Sequence, residues 1–583
     1  MMKINRVIIS NYRNLQSVDV HINSTVALIG ENNSGKSNFL KAITLPLMSE
    51  EYSHTSKNLS WSDINDNAKN DYYNFILQNR EKIKSGDISQ NELLTALPVV
   101  TVELHFIPET IELFYVKDLS FEIEQDKILY GIRYEYKPNK INEIYDVVKN
   151  IVSSDDFSEK SINSVKMNLL PIEYYSYSIS VPNKGSVPYD VIKRFKYSSL
   201  EAERDDFSRT KERIGSKSLV KLLQEGLSSD DKLTIEKEYI HFFDELKKVS
   251  DIDKIINWQD DSSIEEAKEF FSHINILPNM PPMHSLLNSI RLGYDGLELS
   301  SQGLGNRNLI LLCVLINASL ENQNDTAFNM LTIEEPEAHL CINNIRLITS
   351  YLKILVNNSK TSQLFYSTHN TEFINKMGLK NVLVVHNGKV TSFLDELTND
   401  EIDYLTRNPN LDIFKLFFSK KCILFEGVSE ELLIRSYIDS KNELNDIELL
   451  SFHKGFKDII KIWEKVNKGT TNKLGIIRDY DNQPGAKAEH EKYDDGISIC
   501  VRTTSQYTLE PEIVSTGNNY QILKKQYGSQ FGWDNLSEEE MKEAWQEAKA
   551  AHMLAICKDI SDGKLPDLEM PNHIQEVIEF VKK

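Results

Sequence analysis

Eight residues from Gly30 to Ser37 have the types and spacing that bind a phosphate. The string GENNSGKS fits the pattern GxxxxGK[ST], follows a predicted strand and opens a predicted helix. Its glycines let main-chain N–H groups turn inward around phosphate oxygens, and the helix start adds positive dipole. Lys36 would reach the β- and γ-phosphates of ATP, and Ser37 would ligate Mg²⁺. The alternative is a glycine-rich turn without nucleotide. The predicted nucleotide-binding residues of this loop are Gly30, Asn32, Asn33, Ser34, Gly35, Lys36 and Ser37.

A pair of acids ends the apolar segment NMLTIEEPE. At the end of a strand beside a phosphate loop, Glu334 would hold Mg²⁺ through water, and Glu335 would polarise the attacking water. The alternative is an ordinary helix start, with Pro336 at the first helical position.

Two further features fit a nucleotide site. The string LSSQGLG (299–305) precedes a predicted helix and could meet a phosphate through Ser301, Gln302 and Gly303. His369 closes the predicted strand QLFYST and could sense the γ-phosphate. A single histidine is more often structural, so only the combination of features favours this role.

A second set of acids follows three other predicted strands. Glu426 and Glu430 come after CILF, Asp479 and Asp481 follow LGIIR, and Glu510 follows ISICVR. The alternation of a strand predicts both carboxylates of DYD on one face. Acids at the carboxyl ends of parallel strands converge at one sheet edge, where they repel unless they bind cations such as Mg²⁺ or Mn²⁺. Two such ions could clamp a phosphodiester. The alternative is solvated acids at helix starts that interact with the helix dipole.

The predicted strands and helices around these residues form two α/β regions. Residues 3–45 predict two strands, a third buried strand, the loop and a helix, and residues 50–95 predict irregular chain with one or two helices. A β-meander follows from 98. The helical spacing of 199–271 predicts an insertion, and strand–helix alternation returns over 297–395 as a second piece of the first α/β domain.

A break at about 396–418 separates this domain from a new α/β unit. The tail from 537 is predicted to be two helices. The predicted boundaries are 1–200 and 291–400 for the two parts of the first domain, 201–290 for the helical insertion, and 418–583 for the second domain with its C-terminal helices.

Composition is ordinary for a globular protein. The chain has 583 residues, 40% apolar and 26% charged, which excludes a collagen or a wholly disordered chain and predicts roughly three or four domains. Lys plus Arg is 66 and Asp plus Glu is 87, giving −21, so nucleic acid would be held by local basic groups or metal rather than by bulk charge. The five cysteines form no CxxC pair, which disfavours zinc or a disulfide framework. The N-terminus predicts no signal peptide and the apolar runs no membrane span, so we expect a cytoplasmic protein.

The order phosphate loop, Ser/Gly signature, acidic strand and His strand resembles ABC-type ATPases of the DNA-repair kind. In that family the signature of one head completes the phosphate site of a second head, which implies a homodimer or a larger even assembly. EGxxE followed by DxD resembles a Toprim domain. An ABC-type head followed by Toprim resembles the OLD (overcoming lysogenisation defect) nucleases, which include Gabija-like and retron-associated anti-phage effectors.

This resemblance implies an α/β fold with an ABC-type ATPase head, a helical dimerisation insertion and a Toprim domain. It is strongest at 1–45, 295–395 and 420–515, and EAERD at 201–205 looks like a family segment. It implies ATP and Mg²⁺ or Mn²⁺ as cofactors, DNA as substrate, and a helicase or a retron reverse transcriptase complex as candidate partners. The chain departs from the family pattern at two places. Residues 339–343 are HLCIN where a pattern like HLHP is usual, and residues 368–370 are THN where Thr-His-Ser is usual. The implied catalytic residues are Glu335, His369, Glu426 and Lys549, and the implied metal ligands are Ser37, Glu334, Glu426, Glu430, Asp479, Asp481 and Glu510.

Two other functions stay open from the residues alone. One is an ATP-driven DNA clamp or scaffold that binds without cutting, although a pure binder needs fewer unpaired acids. The other is an ATPase toxin or sensor that depletes nucleotides, with the C-terminal domain as a partner dock.

Overall fold

The structure is a computed structural model of the 583-residue chain. It describes residues 2–583 apart from 50–55, 125–126, 155–156, 158–161, 203–218, 221, 225, 251–285, 288–289, 291, 321–325, 359–361, 409, 442–445 and 453–455.

The strands are numbered in chain order: β1 (Lys3–Tyr12), β2 (Leu15–His21), β3 (Val26–Ile29), β4 (Met48–Ser49), β5 (Val100–Ile107), β6 (Ser120–Glu124), β7 (Lys127–Pro138), β8 (Tyr175–Ser180), β9 (Phe195–Leu200), β10 (Gly293–Tyr294), β11 (Leu297–Glu298), β12 (Phe328–Glu334), β13 (Ser362–Ser367), β14 (Val382–His386), β15 (Lys389–Ser392), β16 (Lys421–Phe425), β17 (Glu448–Ser451), β18 (Lys473–Arg478) and β19 (Ile499–Thr503).

The α-helices are numbered in the same way: α1 (Lys36–Thr44), α2 (Asp66–Gln78), α3 (Arg80–Ser85), α4 (Gln90–Ala96), α5 (Leu113–Val116), α6 (Ile141–Ser153), α7 (Ile162–Leu169), α8 (Tyr189–Ile192), α9 (Ser229–Ser250), α10 (Leu304–Leu320), α11 (Ile342–Asn358), α12 (Thr371–Met377), α13 (Phe393–Glu396), α14 (Asn399–Arg407), α15 (Val428–Ser440), α16 (Phe456–Asn467), α17 (Pro484–Glu491), α18 (Leu509–Ser515), α19 (Asn519–Phe531), α20 (Glu538–Glu547), α21 (Lys549–Ser561) and α22 (Asn572–Lys582).

The chain forms two compact units. The first unit joins Met1–Leu47, Thr55–Ile192 and Gln363–Lys583, and the second joins Met48–His54 and Lys193–Ser362. The predicted α/β class is confirmed. Within the described residues, no helix combines the length and apolar character that a membrane crossing requires.

Two sheets of the first unit hold the phosphate loop. One is antiparallel, in the order β2-β1-β5-β7-β6 with β8 added to β7. In the other, β3 pairs in parallel with β13 on one side and with β14 on the other, and β15 is antiparallel to β14. All four residues of β3 are buried, as expected of a parallel strand covered on both faces.

A third sheet of the first unit runs in the order β17-β16-β18-β19, with every pairing parallel. Helix α22 covers it at Gly475, where an added Cβ would lie 2.4 Å from Val577 Cγ1. The glycine therefore allows the helix to approach the strand closely. Parallel pairing places the carboxyl ends of β16, β18 and β19 at one edge.

The second unit contains the acidic strand. Strand β12 pairs in parallel with β9, and β9 pairs in parallel with β4. Six of the seven residues of β12 are buried, and only Glu334 at its end is partly exposed. The insertion is described as helix α9, and most of 201–205 and of the insertion lies outside the described residues.

Three sequence expectations need correction. The region predicted to be largely irregular contains helices α2, α3 and α4, the segment predicted as a break contains α14 and a 3₁₀ helix at Leu411–Phe417, and the tail after 537 has three helices. Two of the missed helices carry a sequence signal at their first turn. Ser89 with Glu92 and Thr398 with Glu401 form capping boxes, which satisfy the first N–H groups of α4 and α14.

Candidate functional site

The phosphate loop follows β3 and ends at Ser37, the second residue of α1. Gly30 has φ 147°, and an added Cβ would lie 2.2 Å from the Val385 carbonyl oxygen. Gly35 has φ 119°, and its Cβ would lie 2.7 Å from Asn14 Nδ2. Both positions require glycine, because the positive φ would strain any other residue and an added Cβ would collide with its neighbours. Asn33 is also left-handed, at φ 61°.

Lys36 closes the loop on itself. Its ammonium group donates to the carbonyl oxygens of Gly30 at 2.9 Å and Glu31 at 2.7 Å. Its side chain is buried, whereas Ser37 at the helix start is exposed. A nucleotide would replace these two carbonyls with phosphate oxygens, so the loop fits the ligand that the motif predicts.

Asn14 is a supporting residue that the motif did not reveal. Its Nδ2 donates to the Ser34 carbonyl at 2.8 Å, and its Oδ1 accepts from Asn38 Nδ2 at 2.8 Å. Beside it lies a cavity of about 500 Å³ lined in part by Arg13, Asp63 and Asn14. A signal was present in the sequence, because an Arg-Asn pair stands at a tight turn between two strands, and two strands separate that turn from the loop.

The predicted sensor histidine lies beside the loop. Pairing of β13 with β3 aligns Ser367 with Leu28, so His369 emerges next to Gly30. Glu31, Asn32 and His369 line one cavity of about 500 Å³ together with Phe418, whose ring centroid is 6.3 Å from that of His369.

Glu31 also joins the phosphate loop to the chain that leads into β16. Its Oε1 accepts from the Lys420 main-chain N–H at 3.0 Å, and its Oε2 is 2.9 Å from Lys420 Nζ. Sequence reasoning missed this contact because the two residues are far apart in the chain.

The predicted signature and the acidic strand both belong to the second unit. The signature residues Ser301, Gln302 and Gly303 immediately precede α10. Along α10, an added Cβ at Gly305 would lie 3.0 Å from the His339 carbonyl oxygen. Glu334 ends β12, and Glu335 has a left-handed backbone at φ 42°.

The other acids meet at the carboxyl edge of the third sheet. Glu426 follows β16, Asp479 follows β18, and the Asp479 main-chain N–H donates to the Glu426 carboxylate. Glu430 lies in the first turn of α15 and Glu510 in the first turn of α18, and their exposed fractions are 5% and 2%. Thr508 Oγ1 donates to Glu510 Oε2 at 3.0 Å.

Burial and the repulsion between neighbouring carboxylates raise the pKa values of Asp479, Glu426 and Glu430. Burial raises the pKa of Asp479 to about 8, with the charges of Glu430, Glu426 and Glu510 adding to the effect. Burial also raises the pKa of Glu426 to about 7; there Arg478 opposes the shift while Asp481 and Glu430 reinforce it. The pKa of Glu430 is raised by burial and by Glu510.

A divalent cation fits this donor set. The set contains only carboxylate oxygens, which Mg²⁺ and Mn²⁺ prefer, and a bound cation would offset the burial and repulsion that raise the pKa values of Asp479, Glu426 and Glu430. As the side chains stand, no three acidic, histidine or cysteine groups of the described residues converge tightly enough to enclose an ion. Metal binding would therefore draw the carboxylates closer together.

Lys549 joins this cluster from a distant helix. It is the first residue of α21, and its Nζ lies 3.1 Å from Glu510 Oε2. Its charge lowers the pKa of both Asp479 and Glu430. In the sequence alone Lys549 also reads as an ordinary surface lysine.

Arg478 is a residue of this site that sequence reasoning missed. Its side chain is 9% exposed, its Nε lies 3.5 Å from Glu426 Oε1, and Nε and Nη1 are buried without a hydrogen-bond partner. The available signal was a charged residue at the end of the apolar strand LGIIR, since a buried arginine requires an anion.

The strand argument for Asp479 and Asp481 does not hold. Strand β18 ends at Arg478, and Asp481 has φ 49°, so the two-residue period no longer applies. Asp479 interacts most strongly with Glu430, whereas Asp481 acts on Glu426. Both carboxylates remain with the cluster, but through a turn.

Comparison with known proteins decides the family of the first domain. A family profile described as AAA ATPase domain matches residues 2–374, more than half of the chain. The chain belongs to the AAA ATPase family. The phosphate loop, His369, the acid pair and the signature all fall inside the matched residues of this AAA ATPase.

Two curated relatives of this AAA ATPase carry the name Endonuclease GajA. The one from Bacillus cereus strain HuB5-5 is 26% identical over 182 residues, covering 26% of this chain and 26% of the relative. The one from strain VD045 is 22% identical over 535 residues, covering 90% of this chain and 83% of the relative. The predicted resemblance is confirmed. The first alignment spans only about a quarter of that relative's length.

Two solved structures show low similarity to this chain. The SMC head domain from Thermotoga maritima is 14% identical, with 67% of this chain and 98% of that chain covered, at a TM-score of 0.30. The recombination mediator RecF is 12% identical, with 67% and 97% covered, at a TM-score of 0.29.

Proposed function

We propose that this protein is an ATP-binding and ATP-hydrolysing, divalent-metal-dependent DNA endonuclease that serves in bacterial anti-phage defence. The observation that carries the proposal is the edge of the third sheet. There Glu426, Glu430, Asp479 and Glu510 crowd together with raised pKa values or deep burial, and Lys549 contacts the last of them. A relative named endonuclease aligns along 90% of the chain, including this edge.

The carboxylates at this edge would form two metal sites. Asp479, Glu430 and Glu510 would hold one divalent ion, and Glu426 with Asp481 would hold a second. Bound ions would supply polarisation of the phosphodiester and a more acidic water. Lys549 would neutralise charge that develops on the phosphate, and Arg478 favours the ionised form of Glu426. Burial keeps bulk water from screening these charges.

The nucleotide half uses the AAA ATPase residues. Lys36 would exchange its two carbonyl partners for β- and γ-phosphate oxygens, and Ser37 would ligate Mg²⁺. Glu334 would hold Mg²⁺ through water. Glu335 would orient the attacking water, and His369 would contact the γ-phosphate. Ser301, Gln302 and Gly303 would complete the site of a second copy, so we propose a homodimer or a larger even assembly acting in the cytoplasm.

A plasmid assay tests the proposal and separates it from the alternatives. Supercoiled plasmid is incubated with the full chain and Mg²⁺ or Mn²⁺, with and without ATP, and with EDTA as the control. Nicked and linear products that require metal support the endonuclease. Plasmid that stays intact but is bound by the protein with or without metal would favour a clamp. ATP consumption without binding or cleavage of the plasmid would favour a nucleotide-depleting ATPase.

A further inference from the structure

A cavity of about 320 Å³ lies beside the DYD turn, and none of the clustered acids lines it. Tyr480, which stands between Asp479 and Asp481 in the chain, forms one wall. Helix α17 forms the other wall through Pro484, Lys487 and Glu491.

The Tyr480 backbone is held in place at both ends. Its N–H donates to Thr504 Oγ1 at 2.9 Å, and the next N–H, that of Asp481, donates to the Tyr507 carbonyl at 3.0 Å. Thr504 is itself fixed, since its hydroxyl donates to the Gln506 carbonyl at 2.8 Å. The main chain that carries the ring is therefore fixed between Asp479 and Asp481, and Tyr480 lines the cavity.

Three chemical groups face this space. The Tyr480 ring offers a flat surface on which a base can stack. Lys487 Nζ lies 5.9 Å from the centroid of that ring, within reach of a phosphate, and 3.8 Å from Glu491 Oε1. The Glu491 carboxylate can accept from the exocyclic amino group of a base. Ring, cation and acceptor together match a nucleotide.

We propose that this cavity binds one unpaired DNA nucleotide beside the phosphodiester that is cut. This inference rests on the proposed nuclease function and narrows its substrate to DNA with an extruded or unpaired nucleotide at the cleavage point. A base inside a continuous duplex stack cannot reach Tyr480. Extrusion costs least at a bulge, a mismatch or a single-stranded stretch, so the cavity favours such sites.

Binding to two labelled duplexes tests the inference. One duplex is fully paired and the other carries a single unpaired nucleotide at its centre, and affinities are measured by fluorescence anisotropy with the full chain in EDTA. We expect the wild-type protein to bind the bulged duplex roughly tenfold more tightly, in line with one stacked base. Tyr480→Leu should remove this preference, and Tyr480→Phe, which keeps the ring, should retain it.

Tyr437→Leu is the matched control, because Lys441 Nζ lies 5.0 Å from the centroid of the Tyr437 ring on helix α15, away from the cavity. It should leave the preference intact. A preference that survives in Tyr480→Leu, or that is lost in Tyr480→Phe, overturns the inference. Wild-type protein that cleaves plasmid but binds both duplexes equally also overturns it and leaves the nuclease standing. Protein that neither binds nor cleaves DNA overturns both.

Discussion

Asp479 illustrates how this protein would acquire a metal at the expense of its own stability. Its carboxyl sits among Glu430, Glu426 and Glu510, and burial is the largest cause of its raised pKa. An acid in such a place favours its neutral form unless a cation arrives. The same burial that disfavours the empty charged site makes each carboxylate a stronger ligand for that cation.

The stability of the metal-free protein should depend on pH in a defined direction. The pKa of Asp479 rises from 3.8 to about 8 and that of Glu426 from 4.5 to about 7 on folding. The free-energy cost of ionising these two buried carboxyls is absent below their pKa values in the unfolded chain. It grows as pH rises towards their pKa values in the folded protein, so the melting temperature should fall between about pH 4 and about pH 8.

Differential scanning fluorimetry with and without Mn²⁺ measures this effect. The ion should raise the melting temperature more at the upper end of that range than at the lower end, where protons compete with it. Asp479→Asn should weaken both the pH dependence of the melting temperature and the pH dependence of its increase with Mn²⁺. A melting temperature that rises steadily with pH in the metal-free protein would contradict this reading of the cluster.

Lys549 should matter more for the rate of cleavage than for DNA binding. Because its ammonium group lies 3.1 Å from Glu510 Oε2, it is placed for charge that develops on the phosphate. Lys549→Ala should slow cleavage by about 10²–10³-fold, as loss of a preorganised transition-state donor does. The control is Lys558→Ala, an exposed lysine on the same helix. Equal losses of rate and of affinity would make Lys549 a simple DNA contact.

At the scale of elements, the phosphate loop and the acidic strand have separable tasks. Lys36→Ala should abolish ATP binding, whereas Glu335→Gln should keep binding and trap ATP, because only water activation is lost. Nucleotide binding and phosphate release are measured for both variants, with Lys41→Ala on the same helix as the control. ATP turnover that persists in Lys36→Ala would remove the nucleotide site from the loop.

The sequence predicted those sites that depend on local chain geometry. The phosphate loop between β3 and α1, and the acids after β16, β18 and β19, follow from strand ends and helix starts that the pattern reveals. Glu426 and Asp479 could be placed together because parallel strands share an edge. The capped helices α4 and α14 were also within reach, since their Ser/Thr-x-x-Glu strings are visible.

Other features depend on contacts between distant segments or on a turn. The contact of Glu31 with Lys420 and the proximity of Arg478 to Glu426 arise only once the strands pair. The DYD motif leaves the strand before its second residue, so alternation gave a wrong reason for placing Asp481. Strand boundaries cannot be read to one residue from pattern alone.

At the scale of the whole molecule, dimerisation is expected to depend on the helical insertion. Helix α9 exposes Leu233, Ile240, Phe242 and Leu246, an apolar set that a partner could cover. Deleting residues 205–290 should yield monomers by light scattering, and the double variant Phe242→Glu with Leu246→Glu should weaken the dimer. A deletion variant that stays fully dimeric contradicts this prediction.

Net charge sets the mode of DNA binding. At −21 the chain should bind DNA modestly and with strong salt dependence, through local lysines and arginines and through bound metal. Raising the salt concentration should weaken binding of duplex DNA without changing which variants cleave it.

Plasmid cleavage by variants of the acidic edge tests most directly whether the protein is a metal-dependent nuclease. Asp479→Ala, and separately Glu426→Ala, should eliminate nicking and linearisation in Mn²⁺ while ATP binding stays at the wild-type level, because loss of one oxygen ligand weakens metal capture. Asp439→Ala, an exposed acid at the end of α15, is the matched control and should cleave normally. Full cleavage by Asp479→Ala at matched protein concentration would contradict the metal-dependent nuclease and leave the scaffold interpretation in its place.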